Sequence, residues 1–498
     1  MTPQLGFEKQ LWDAANVLRG NMDAAEYKQV LLGLIFLKYL SDRFDERYEE
    51  LVAEAEGFEE DKDFYAGAGY GYFFIPVEAR WNVIAARSHT AEIGQVIDDA
   101  MHAIERDNEK LRGVLPSNYA RQELDKRRLG EVVDLFTNIP FSDQESEYDL
   151  LGRTYEYCLA QFAEQEGKKA GEFYTPASVV RTLVEGIEPY QGRVYDPCCG
   201  SGGMFVQSAR FIREHQGNID NVSVFGQDSN PTTWKLCKMN LTIRGIEADL
   251  GPYAADTFHN DLHKTLKADY ILANPPFNLS GWGGEQLKDD YRWKYGIPPA
   301  GNANFAWLQH MISHMSVEGR IGMVLANGSL SSQSSGEGEI RKKIIEDDLV
   351  ECIIAMPPQL FYTTQIPVSL WFLSKRKDRT GEILFIDARE MGTMVSRKLR
   401  EMTEADITRL AQTMSDFRND ELEDEKGYCK AAALEEVAKN GFILTPGRYV
   451  GIADQEDDGE PFDEKMKRLT GELSEMFKES HELEGQIRER LGAIGYDV

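Results

Sequence analysis

The sequence predicts an α/β protein built on a mostly parallel sheet, with an all-helical N-terminal domain before it and a C-terminal helical tail after it. Three observations carry that expectation. The runs "RVYD" (193–196), "VSVFGQD" (222–228), "DYILAN" (269–274), "GRIGMVLAN" (319–327), "LVECIIAMP" (349–357), "VSLWFLSK" (368–375) and "EILFID" (382–387) alternate with helical stretches, as strands joined by crossover helices do. No strand series precedes about residue 190. Beyond the acidic stretch "ADQEDDGEPFDE" (453–464), Met466, Leu469, Leu473, Met476, Leu483 and Ile487 recur at helical spacing, with Ser480 in the polar slot. That stripe is heptad-like, and it suits a helix folded back on its own domain or one docked on another chain.

A chain of 498 residues exceeds one ordinary core. Boundaries are expected at 1–150 for the helical domain, 151–450 for the sheet and 451–498 for the linker and tail. Within the first, Leu11, Ala15 and Leu18 share one helix face, and Val30, Leu34, Leu37 and Tyr39 mark a second helix. The Gly-rich "YAGAGYGYFFIP" (65–76) reads as a loop, and helical periodicity returns over 93–111.

Composition narrows the class. Apolar content of 42% and charged content of 28% are those of a soluble globular protein. The most apolar run, "VLLGLIFLKYL" (30–40), is short and contains Lys38, so no membrane span is expected. "MTPQLGFEKQ" is not a basic leader followed by an apolar core. Six cysteines in this length suggest no disulfide framework and fit a reducing cytoplasm. The net charge is −29, from 84 Asp and Glu against 55 Lys and Arg. A protein that grips DNA alone carries a basic footprint. This chain either does not bind nucleic acid or leaves most of the grip to a partner.

Ligands of such sheets sit at the carboxyl ends of the strands, and the unusual residues fall there. "YDPCCGSGGMF" (195–205) ends a strand in Asp196 and turns through Gly200, Ser201, Gly202 and Gly203 into a helix. The glycines let backbone approach a ligand. The spacing is neither the dinucleotide pattern nor a phosphate loop. Asp228, in "FGQDSNP" (225–231), ends the next strand, where a ribose diol is usually held; an N-cap carboxylate is the plainer alternative. Together the two signals favour a nucleoside ligand.

"DYILANPPFN" (269–278) runs an apolar strand into Asn274, Pro275, Pro276 and Phe277. Proline has no N–H for a sheet ladder, so the strand stops there. The Asn274 side-chain oxygen and the Pro275 carbonyl are two acceptors aimed at one point, which suits a planar conjugated amine. Phe277 offers a flat surface for an unstacked base. "GKKAGEFYTPASVV" (167–180) precedes the sheet. Thr175 is expected as a helix cap and Pro176 as the first helical residue, with Phe173 and Tyr174 able to cover a ligand's face.

In this order the four stretches resemble the amino-methyltransferases that use S-adenosylmethionine (SAM), and Asn at the head of "NPPF" matches their adenine-N6 branch, whereas the cytosine-N4 branch more often opens with Ser. With "NANFAWLQHMI" (302–312) and "LTPGRYVG" (444–451), nearly the whole chain resembles the modification subunit of type I restriction–modification systems. The resemblance implies the Rossmann-like methyltransferase fold and methyl transfer from SAM to the N6 amine of a flipped-out adenine in double-stranded DNA, without a metal. It implies that Glu172, Phe173, Tyr174, Thr175, Pro176 and Ala177, with Gly200, Ser201, Gly202 and Gly203, line the SAM site. Asp196 would meet the methionine amino group, Asp228 the ribose and Asp256 the adenine of SAM. Asn274, Pro275, Pro276 and Phe277 would hold the target base. Cys198 and Cys199 depart from the small residues, such as Ala, common in that turn.

The implied partners are a DNA-reading specificity subunit, a restriction subunit with motor and nuclease functions, and DNA, with two copies of this chain per complex in a bacterial or archaeal cytoplasm. No Walker A or nuclease pattern appears in the chain itself. Arg292, Trp293, Lys294 and Tyr295 in the loop 281–302 either touch DNA and the flipped base or pack on the N-terminal domain. His310 and His314, like His259 and His263, stand one helical turn apart, but no third zinc ligand is evident and structural roles are expected. Two other readings stay open: methylation of a protein glutamine amide, and a SAM-binding scaffold without catalysis.

Overall fold

A computed structural model describes residues 24–55, 57–66, 72–138, 175–215, 217–218, 221–361, 366–395, 399–452 and 462–493. The helix expected through Leu11, Ala15 and Leu18 lies outside them, as do Glu172, Phe173 and Tyr174. The chain forms two compact units, Met1–Gly451 and Ile452–Val498.

The strands are β1 (Gly192–Asp196), β2 (Val222–Gly226), β3 (Ala248–Asp249), β4 (Ala268–Ala273), β5 (Met315–Ala326), β6 (Val350–Ala355), β7 (Val368–Ser374), β8 (Glu382–Asp387), β9 (Thr393–Met394), β10 (Arg400–Glu401) and β11 (Cys429–Ala433). Nine of them form one sheet in the order β11-β8-β6-β7-β5-β4-β1-β2-β3, and β9 and β10 form a separate ribbon. Each of the seven apolar runs between residues 193 and 387 is a strand of the large sheet. From β3 to β5 all neighbours are parallel. β7 enters antiparallel between β5 and β6. No helix occurs among the described residues between β6 and β7, and a parallel return needs a crossover. β11 was not evident because "CKAAA" lacks β-branched and aromatic residues; it pairs antiparallel at the sheet edge.

Between parallel strands the chain returns through helices that bury one face, such as Ala177–Ile187 before β1, Gly203–Glu214 and Pro231–Ile243. Sheet residues feed two apolar clusters, one holding Val194, Leu272 and Val324 and the other Tyr195, Ile271 and Met323. This alternation follows from the two-residue repeat of strands.

A third cluster is helical. In the helix Ala24–Glu54, Val30, Leu34 and Leu37 are fully buried and Tyr39 nearly so. The helix Ile93–Asp107 turns Val96, Ile97, Ala100, Met101 and Ile104 inward. Leu236 and Met239, on the helix Pro231–Ile243, join this cluster, and Gln29 Nε2 donates to Thr232 Oγ1 at 2.9 Å. The helix that follows Asp228 therefore leans on the N-terminal region.

Among the described residues, the second unit holds one helix, Phe462–Ala493. Along it Met466, Leu469, Leu473, Met476, Leu483 and Ile487 are each at least 43% exposed. No helix among the described residues is long and apolar enough to cross a membrane.

Candidate active site

The register brings three strand ends to one edge. Asp196 pairs with Gly226, and Tyr195 with Ile271. The carboxyl ends of β1, β2 and β4 therefore deliver Asp196, Asp228 and Asn274 to the same rim.

At β1, Asp196 is 2% exposed, and its Oδ1 accepts from the Cys198 N–H at 2.9 Å. Burial pushes its carboxyl up to about 7; the Cys198 N–H opposes the rise and the nearby Asp228 carboxylate adds to it. No cationic side chain pairs with Asp196 among the described residues. A cationic ligand would stabilise the ionised form of such a buried acid. Gly200 (φ +54) and Gly203 would each hold a Cβ in open space, so the turn is a cradle. Gly202 differs: at φ +84 its Cβ would meet Cys237 Sγ at 2.9 Å, so packing demands this glycine. The Ser201 carbonyl accepts from Asn240 Nδ2 at 2.6 Å, anchoring the turn to the next helix. Cys199 is buried with its thiol in hydrogen-bond contact with Cys237, so this departure fills core space behind the turn.

At β2, Asp228 Oδ2 accepts from the Gly200 N–H at 3.1 Å and Oδ1 from the Asn230 N–H at 2.9 Å. The helix that follows is capped by Asn230, whose oxygen accepts from Thr232 and Thr233, not by Asp228. Asp228 thus ties the glycine turn to its own strand. Gln227, absent from the sequence argument, is fully buried. Its amide holds the Ala255 and Asn260 carbonyls and the Leu262 N–H at 2.9–3.0 Å, shaping the loop that carries Asp256. There Asp256 Oδ1 accepts from the Phe258 and His259 N–H groups.

At β4, Asn274 Nδ2 donates to Thr175 Oγ1 at 2.8 Å. Asn274 Oδ1 is buried and has no hydrogen-bond partner among the described residues. Phe277 meets Phe361 edge-on, with centroids 5.8 Å apart. The next residue, Asn278, has φ +52, a conformation Asn tolerates. Its N–H donates to Asn304 Oδ1 at 3.0 Å, and its Oδ1 accepts from Asn304 Nδ2 at 2.9 Å. Asn304, in "NANF", thereby clamps the turn that follows the tetrapeptide. Only its place in that quoted stretch hinted at this.

Thr175 is not the expected cap. The helix Ala177–Ile187 opens on Pro176, whose carbonyl accepts from Val179 and Val180, and no side chain caps it. The Thr175 hydroxyl reaches across to Asn274 instead.

In the loop 281–302 one expectation is corrected, packing on the helical region. Arg292, Trp293 and Tyr295 are at most 8% exposed. Arg292 binds Asp290 and the Thr257 and Phe258 carbonyls, and its Nη1 lies 3.1 Å from His310 Nδ1. Lys294 and Tyr295 both reach Asp347. Arg292, Trp293 and Tyr295 pack inside the sheet domain and not on the helical region, while Lys294 stays on its surface. Desolvating this many donors is tolerable only because each finds an acceptor.

Behind β1 the histidines gain a third potential ligand that spacing could not show. Asp261, His310 and His314 place one ligand atom each within 4.8 Å of one another. Hydrogen bonds occupy them. His314 Nε2 lies 2.9 Å from Asp261 Oδ2 and its Nδ1 3.1 Å from the Leu266 carbonyl; His310 bridges the Tyr195 hydroxyl and Arg292. Burial holds His310 well below its ordinary value, so its Nδ1 can accept from the guanidinium. His263 turns to the Gly226 carbonyl, and His259 to Asp256.

Comparison with known proteins gives the family. The profile of the N-6 DNA methylase family matches residues 146–458, and that of the HsdM N-terminal domain matches residues 7–136. The chain is 51% identical to the type I restriction enzyme HindI methylase subunit of Haemophilus influenzae, over 85% of this chain and 100% of that one. It is 40% identical to the MjaIX methylase subunit of Methanocaldococcus jannaschii, over 100% of this chain and 92% of that one. Its fold matches the crystal structure of a type I restriction–modification methyltransferase subunit from Streptococcus thermophilus. The TM-score is 0.76 at 26% identity, covering 89% of this chain and 99% of that one.

Proposed function

The chain belongs to the N-6 DNA methylase family and is a type I modification subunit, a DNA adenine-N6 methyltransferase; on that premise we propose how its own residues perform the transfer. The observation that carries the proposal is Asn274 Oδ1, a buried acceptor with no partner among the described residues, at the end of β4. Leaving a buried acceptor unpaired costs roughly 1–3 kcal/mol, and a substrate amine removes that cost.

The methyl donor, S-adenosylmethionine, supplies an electrophilic methyl group when bound. Asp196 holds its cationic amino group, and the Gly200–Gly203 cradle and Thr175–Ala177 line the site with Glu172, Phe173 and Tyr174. Asp228 takes the ribose hydroxyls and Asp256 borders the nucleobase. The target adenine leaves the duplex stack, since its N6 cannot otherwise reach a donor. Phe277 stacks on the base, with Phe361 bracing the ring. Asn274 Oδ1 and the Pro275 carbonyl, held by Pro276, each accept one N6 hydrogen. As the N6–methyl bond formed, the methyl–sulfur bond of the donor would break to leave a neutral thioether, and the positive charge would pass to N6, where the two oxygens face it. The proton then leaves N6 past the same two acceptors to water. The contribution of the protein is orientation and charge placement.

The domain plan we propose is a helical domain over 1–150, the catalytic domain over 151–450 and a docking tail over 451–498. A net charge of −29 suits a catalytic subunit whose grip on double-stranded DNA is shared with a specificity subunit, in a cytoplasmic complex that carries two modification subunits and a restriction subunit. The exposed stripe of Phe462–Ala493 is the proposed contact to the specificity subunit. The test incubates the chain, with the product of its genomic neighbour, with labelled SAM and duplex DNA. N6-methyladenine is expected, and label on protein glutamine instead of DNA would overturn the reading.

A further inference from the structure

We propose that Thr175 is a positioning residue for the transfer. Its hydroxyl accepts from Asn274 Nδ2 and so aims Oδ1 at the substrate amine, linking the segment that lines the cofactor to the group that holds the base. The inference rests on the reading of Asn274 given above.

An Asn amide turned by half a rotation presents a donor where the amine needs an acceptor. The bond at 2.8 Å joins residues 99 positions apart. With one Nδ2 hydrogen committed to Thr175, the oxygen is left buried and without a partner among the described residues. An amide whose N–H is hydrogen-bonded also carries more electron density on its oxygen, because linked hydrogen bonds polarise one another. Thr175 is itself held from its C-terminal side. Proline at 176 restricts the backbone before it, and the Pro176 carbonyl is pinned by the Val179 and Val180 N–H groups at 3.0 and 3.1 Å. Local chemistry would turn a Thr at a helix start onto the helix's free N–H groups. Here the helix goes without a side-chain cap, and the hydroxyl serves Asn274. A local rule broken at a functional rim marks a tertiary demand.

The experiment compares Thr175→Val, Thr175→Ser, Thr175→Ala and Asn274→Ala as full chains, assembled with the DNA-reading partner on duplex DNA. Single-turnover methyl transfer and calorimetric SAM binding are measured side by side. Thr175→Val should lose transfer about tenfold to a hundredfold, as expected for one orienting hydrogen bond. Because Thr175 also borders the SAM site, the rate is read at saturating SAM, where the loss should persist whatever the change in SAM affinity. Thr175→Ser, which keeps the hydroxyl, should recover most of the rate. Thr175→Val added to Asn274→Ala should cost nothing further, since both remove one interaction. If valine disturbs folding, seen as a lower urea midpoint, the pair Thr175→Ser and Thr175→Ala gives the same contrast. Wild-type transfer by both the valine and alanine variants would overturn the proposal, and so would a rate loss that tracks SAM affinity one for one. Full transfer by Asn274→Ala would instead overturn the underlying reading of the site.

Discussion

Two clusters of polar side chains flank β1, and adjacent residues open onto them. Asp196 faces the rim with Asp228 and Asn274; Tyr195 contacts the cluster of Asp261, His310, His314 and Arg292. By residue type the second is the richer in catalytic groups, with two histidines, a carboxylate and a guanidinium. Yet there the polar atoms are matched, with Arg292 alone making five contacts. At the rim, Asn274 Oδ1 has no partner among the described residues and burial pushes the Asp196 carboxyl up to about 7. Side-chain chemistry does not tell a site from a support. What separates them is whether the hydrogen bonding is already complete.

The strongest way to break that contrast is Asn274→Ala. Methyl transfer should fall about a thousandfold, near 4 kcal/mol in barrier height, while calorimetry still shows SAM bound. Loss of SAM binding along with transfer would erase the division between donor and acceptor sites. The matching test behind β1 is Arg292→Met, which leaves Asp290 and two carbonyls without their cation. Breaking a buried pair costs about 3–5 kcal/mol, read as a lower urea midpoint, and the transfer rate per folded molecule should hold. A specific loss of rate in a stable variant would give the rear cluster a chemical role.

Asp196→Asn sharpens the contrast because its two effects have opposite signs. SAM affinity should drop by about tenfold to a hundredfold as the cationic partner loses its counter-charge. The carboxyl is raised from 3.8 to about 7 in the folded chain. The folded state therefore favours the protonated form, and stability is lost as pH climbs through that window. The amide removes this loss, so at pH 8 the variant should resist urea better than the parent. In the parent, SAM affinity should weaken as pH falls below about 7, because the amino group needs the ionised form. A flat pH profile would show that Asp196 does not meet a cation. The smallest effect on the chain itself is expected from deleting residues 460–498. Melting and SAM affinity should stay as they are, and co-purification with the specificity subunit should be lost.

Much of this was legible in the sequence. Apolar runs mark strands because a parallel strand is buried on both faces, and each of the seven runs between residues 193 and 387 became one. The tetrapeptide 274–277 was legible because Pro275 and Pro276 must end a strand where they stand. Other features were not. The sequence "RWKY" looks the same whether it stacks on a base or fills a core, since Arg and aromatic residues serve both. Thr175 before Pro176 carries the local signature of a cap, and nothing nearby reports a partner 99 residues on. Asp261 could not be matched to His310 and His314, because their meeting depends on how β4, its preceding loop and the helix Asn304–His314 pack.

By itself, then, the sequence determined the succession of elements, the strand ends at which Asp196, Asp228 and Asn274 fall, and the turn chemistry of the glycines and prolines. These depend on residues within a few positions of one another, where backbone sterics and periodicity decide. Tertiary structure alone decided that β7 runs against its neighbours, that Arg292 is buried, and that Asn274 is held by Thr175 with its oxygen left over. Each of those depends on which distant groups supply a hydrogen-bond partner once water is excluded, and that pairing has no local code.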